Sequence, residues 1–142
     1  MMRFFAGFLM ALALGCATEG YRIKNQNLSL GDIKRAVEAA IGEPRTISEN
    51  QRTFYSQYFS RKPDPKFDPV KSKERAYAKV VILGDRRPYE VDVEVLIEVR
   101  DSRGYVQSGT DLSEAKKVGK EIRAKLNLSR EDRNVIDDFR AF

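Results

Sequence analysis

The chain has 142 residues, with 26 Lys and Arg against 21 Asp and Glu, one cysteine, and neither histidine nor tryptophan. That length allows one domain. A lone cysteine excludes an intramolecular disulfide, and the lack of histidine excludes Ser-His and Cys-His catalysis and the common zinc sites. The net charge of +5 is spread along the sequence with both signs mixed. This predicts no nucleic-acid partner and only weak attraction to anionic surfaces.

Arg3 opens the N-terminus, and an apolar run follows over residues 4–14. The run is too short to cross a bilayer as a helix, which needs ~20 residues. It has the length of a signal-peptide core. It ends in Leu12-Ala13-Leu14-Gly15-Cys16. This resembles the lipobox of bacterial lipoproteins, where small or apolar residues precede Gly or Ala and then an obligatory Cys. Ala13 stands where that pattern favours Leu. The resemblance covers residues 1–16 only. It implies cleavage before Cys16 and acylation of that residue. A thiol forms a thioether to diacylglycerol, cleavage frees an amine for a further chain, and two or three chains hold firmly where one is marginal. In lipoproteins of Gram-negative bacteria an Asp after the Cys favours the inner membrane; Ala17 therefore implies the outer membrane, facing the periplasm.

Three regions are expected: a signal peptide at 1–15, a lipidated tether at 16–28, with Tyr21 and Ile23 as a short edge strand, and one domain at 29–142. Ser29 with Asp32 resembles a capping box. Leu30, Ile33, Val37, Ala40 and Ile41 then repeat at helical spacing until Gly42 and Pro44. TFYSQYFS at 53–60 predicts a strand, with a start as early as Thr46. Residues 61–72, with Pro63, Pro65 and Pro69, predict a loop. Strands at 76–83 and 89–99 form a hairpin through 84–88. Its second strand alternates Tyr89, Val91, Val93, Val95, Ile97 and Val99 with Glu90, Asp92, Glu94 and Glu98, the sign of one buried and one wet face. Residues 100–110 predict a turn-rich link. Asp111 with Glu114 caps a helix bearing Leu112, Ala115, Val118, Ile122 and Leu126, which Asn127 ends. Ser129 with Asp132 starts a short last helix bearing Val135, Ile136, Phe139 and Phe142. The expected fold is α+β, a single antiparallel three-stranded sheet flanked by helices in the order α-β-β-β-α, with a short C-terminal helix.

The chemistry points to binding. Neither a metal nor another cofactor is expected, and Gly104 to Gly109 lacks the spacing and lysine of a phosphate loop. Alternate carboxylates on the acidic strand lie roughly 7 Å apart, the range of a sugar-hydrolase pair. A regular wet strand paired with Lys79 is nevertheless the plainer reading, so no enzyme is expected. Phe54, Tyr55, Tyr58 and Phe59 place rings on both faces of their strand. The outward pair is either covered internally, by the Pro-rich loop and Phe67, or open to a partner. Lys62, Arg86 and Arg87 are candidate anion contacts. The expected function is that of a lipid-anchored, non-catalytic binding or accessory subunit with an envelope-protein partner. The alternatives are a binder of anionic glycolipid or peptidoglycan and, last, a small envelope hydrolase.

Overall fold

The computed structural model describes residues 20–139, with side chains through residue 133. The signal segment, Cys16, and the side chains of Val135, Ile136, Phe139 and Phe142 lie outside the described residues. Eight elements follow in order: β1 (Tyr21–Gln26), α1 (Leu30–Ile41), β2 (Thr46–Ile47), β3 (Thr53–Tyr55), β4 (Glu74–Leu83), β5 (Tyr89–Asp101), β6 (Gly104–Thr110) and α2 (Leu112–Phe139). The sheet therefore has six strands, not three, with the order β1-β5-β4-β3-β2 and with β6 also paired to β5. All pairings are antiparallel. The α+β class stands and the three-stranded sheet does not.

The larger strand count has physical reasons. β5 is long enough to serve two neighbours on one side. β1 pairs with its first half, Tyr21 opposite Val93, and β6 with its second half, Val106 opposite Val99. β6 is exposed over most of its length, so it carries no apolar alternation. Two glycines and two serines in 102–109 read as turns. Only 102–103 is a turn, between Asp101 and Gly104, where Gly104 takes φ 127°. Tyr21 and Ile23 do form the expected edge strand, but residues 21–28 belong to the domain and not to a tether: Ile23 is buried, as is Leu28 just beyond the strand. The short C-terminal helix is also absent as a separate element. α2 runs through Asn127 without a break, and the Ser129 hydroxyl donates back to the Lys125 carbonyl at 3.1 Å, a bond made inside a helix. Arg130 to Gln26 (3.1 Å) and Arg133 to Asp32 (3.0 Å) tie this extension to the body.

The expected α1 and the 84–88 hairpin are present as drawn. Ser29 caps α1, its hydroxyl oxygen accepting from the Asp32 amide at 3.1 Å. Gly42, at φ 77°, ends it. The inner face of the sheet meets both helices. Val91, Val93, Val80, Ile82, Phe54 and Ile23 pack with Ile33 and Val37 of α1 and Ile122 and Leu126 of α2. Each such side chain removed from water contributes about 1.5–3 kcal/mol. Above this layer the core narrows to Ala76, Ala78, Val95 and Ala115, flanked by Tyr21, Phe59 and Val118. Small residues let α2 approach closely here. Gly119 extends the same logic: a Cβ there would lie 2.0 Å from Cδ1 of Tyr21. The ring of β1's first residue is seated on bare helix backbone.

Candidate functional site

The site begins with one residue out of step. In a regular strand Phe54 and Tyr58 would share a face and Tyr55 and Phe59 the other. β3 stops at Tyr55, and the chain rejoins β4 only at Phe59, opposite Ala76. Between them Ser56 keeps the pairing alive. Its amide donates to the Ala78 carbonyl at 2.9 Å, and its buried hydroxyl accepts from the Ala78 amide at 2.8 Å. A side chain thus replaces one backbone rung, and the register shifts. The result sorts the rings by polarity. Phe54 and Phe59 go inward, the first buried outright and the second against the upper core. Tyr55 and Tyr58 go outward.

On the outer face the tyrosines meet more rings from β4 and β6. Tyr77 lies 6.2 Å from Tyr55 and 5.7 Å edge-to-face from Tyr58. Arg45 sits 4.2 Å over Tyr58 and 5.2 Å from the Tyr77 centroid. Arg75 is clamped between Tyr58 at 3.7 Å and Tyr105 at 3.6 Å. It also ion-pairs with Glu98 at 2.7 Å and donates to the Pro69 carbonyl at 2.9 Å. Tyr105 in turn donates to the Ser72 carbonyl at 2.5 Å. Burial first, and then the Glu98 carboxylate, push the Tyr77 phenol above its usual range. The phenol therefore stays neutral and able to donate. The hydroxyls of Tyr55, Tyr58 and Tyr77 have no hydrogen-bond partner among the described residues, and no buried polar side-chain atom is left without one. These hydroxyls face solvent.

The outward rings are covered partly by one another and by two guanidinium groups, with the Pro-rich loop tied at Pro69 and Ser72. Phe67 makes no ring contact with them. Of the sequence candidates, Tyr55 and Tyr58 enter this cluster and Phe54 and Phe59 do not. Arg45, Arg75, Tyr77 and Tyr105 were missed as members. For Tyr77 and Arg75 a signal existed: they alternate with the buried Ala76 and Ala78.

The basic candidates do not converge. Lys62 is exposed beside the start of β4, and Arg86 and Arg87 are exposed beyond its end, roughly 30 Å apart along the strand. Neighbouring charges are spent internally. Arg61 bridges Glu74 at 2.8 Å and Asp111 at 2.9 Å, and Lys71 pairs with Asp68 at 3.8 Å. The acidic row is likewise matched. Arg22 lies 3.7 Å from Glu90 and 3.4 Å from Asp92, Lys79 lies 3.4 Å from Glu94, and Arg75 takes Glu98. An apolar cleft of about 240 Å³ opens on the helix side between Ala40, Ile41, Phe59 and Val118. Among the described residues no cluster of three carboxylate or thiol groups is placed to hold a metal ion, and no helix is long and apolar enough to cross a membrane.

Compared with known proteins, the chain matches no family model, and no curated protein matches its sequence.

Proposed function

We propose that the chain is a lipid-anchored protein of the bacterial envelope, held at the outer membrane through Cys16 and facing the periplasm. It acts as a non-catalytic binding or accessory subunit that contacts an envelope protein with the outer face of its sheet. The observation that carries this reading is the Tyr55–Tyr58–Tyr77 cluster. Three half-buried rings with solvent-facing hydroxyls, flanked by arginine, have the composition of protein-interface anchors. They lie on the sheet face that neither helix covers. The acidic strand beside them supports binding more than hydrolysis, since each carboxylate has a cation within 3.7 Å. The dispersal of Lys62 from Arg86 and Arg87 weighs against a single anion site.

A photo-crosslinking residue placed at Tyr55 in cells is expected to capture one dominant envelope protein. The same probe at Glu38, exposed on α1, is expected to capture none. Equal capture from both positions, or none from Tyr55, would overturn the outer-face reading.

A further inference from the structure

The chain leaves the described structure at a tightly held point. Gly20 is pressed on β5, where a Cβ would meet the Val93 carbonyl oxygen at 3.1 Å. Tyr21 is locked next to it by the bare backbone of Gly119. Only residues 17–19 separate Gly20 from Cys16. Four extended peptide units reach at most about 14 Å. A lipid on Cys16 would therefore hold this side of the domain close to the bilayer surface, with little freedom to turn away.

On the sheet side of that point Gly20 meets the side chains of Glu94 and Asp92, which Lys79 and Arg22 pair; on the α2 side the surface is basic. At 100° per residue, Lys116, Lys120 and Arg123 share the flank of α2 that turns toward β1. All three are exposed. Arg123 lies 5.5 Å from the Tyr21 ring centroid, which fixes the flank beside the exit point. None of the three has an ion-pair partner among the described residues. This contrasts with Lys117 on the next flank, bound to Glu114 at 2.5 Å. Arg130 continues the row, about 21 Å along the helix from Lys116. Glu19 in the spacer subtracts one charge and leaves the flank positive.

We infer that the Lys116–Lys120–Arg123 flank of α2 is a membrane-docking surface, lying against the phosphate headgroups of the bilayer that carries the anchor. This rests on acylation of Cys16. Docking this flank turns the β1 edge of the sheet toward the lipid and the β2 edge, at the other end of the strand order, away from it. Short-range attraction to anionic headgroups is what exposed, unpaired lysines near a surface supply.

The test uses the full lipidated chain, whose Cys16 thiol is consumed in the thioether, so that one introduced cysteine is the only free thiol. Asn127→Cys, an uncharged exposed position on the same flank, and Glu49→Cys, exposed beyond β2 at the far edge of the sheet, are each labelled with a fluorophore. Both are placed in phosphatidylcholine vesicles containing phosphatidylglycerol and a headgroup spin-labelled quencher. Strong quenching at position 127 and little at 49 is expected. Adding Lys116→Gln and Arg123→Gln should reduce the quenching at 127, with the face-down population ratio falling roughly fivefold per cation removed. Raised salt should act in the same direction without any substitution. Equal quenching at both positions, or none at 127 while Cys16 carries acyl label, would overturn the docking surface alone. Absence of acyl label on Cys16 would instead overturn the lipoprotein reading, and the docking surface with it.

Discussion

The two faces of the sheet are made by the same strands and held by different physics. The inner face is aliphatic, sealed by two helices, and stabilised by area removed from water. The outer face is a lattice of directed contacts, in which guanidinium groups lie on rings and each carboxylate meets a cation. The inner face tolerates no charge because no water or counter-ion is there to receive it. The outer face is built from groups that keep one side wet, which is what a surface needs if it is to exchange solvent for a partner.

Substitutions separate the two cases by size. Val95 is fully buried between the sheet and α2. Val95→Asp is expected to cost about 3 kcal/mol or more, read by thermal or denaturant unfolding. A wild-type melting curve would mean that the inner face is not sealed. Gly119→Ala is next. Alanine improves helix propensity by about 1 kcal/mol, yet its methyl would meet the Tyr21 ring, and we expect a net loss of about 2 kcal/mol. Tyr21→Ala should remove that penalty in the double variant, so the two changes should couple in a mutant cycle.

On the outer face Arg75→Lys keeps the charge and loses the planar group that two rings clamp. A loss of about 1–2 kcal/mol is expected. A neutral result would reduce the ring clamp to simple charge pairing. The smallest effect is acidic. The Asp111 carboxylate accepts from the Glu114 amide and then from Arg61, and Asp32 accepts from Ser29 and then from Arg35 and Arg133. Both are thereby held below the ordinary value of 3.8. Groups with lowered folded pKa stabilise above their unfolded value, and that stabilisation is lost as pH falls through the folded one. Stability from these two groups should stay level down to about pH 5 and decline below about 4. Asp111→Asn should flatten part of that decline.

The sequence disclosed the inner face far better than the outer. Burial leaves a period: two for β5, and three to four for α1 and for the start of α2. The hairpin at 84–88 followed from the first of these. β6 has no such period, since most of it is exposed and it owes its form to β5. The continuation of α2 was hidden by Asn127 and Ser129, which resemble a stop and a start in isolation and are overruled by contacts to Gln26 and Asp32. At the site, Tyr55 and Tyr58 were legible as an aromatic run. Which rings point where depended on Ser56, whose hydroxyl stands in for a backbone rung, and no composition rule encodes that substitution. Alternation with Ala76 marks Arg75 as outward, but its ring neighbours come from residues 58 and 105, far apart in the chain.

β1 gives the domain an order of assembly. Its ladder partner lies far down the chain (Arg22 meets Asp92, 70 residues later), and the seat for Tyr21 is on α2, later still. β4, β5 and β6 can zip together as neighbours in sequence, whereas β1 must wait for nearly everything that follows it, at the entropic cost of a long loop closure. The chain therefore presents its first strand earliest and fits it last. Until then half of one edge of β5 is bare, and the strand that closes it is the one next to the proposed anchor.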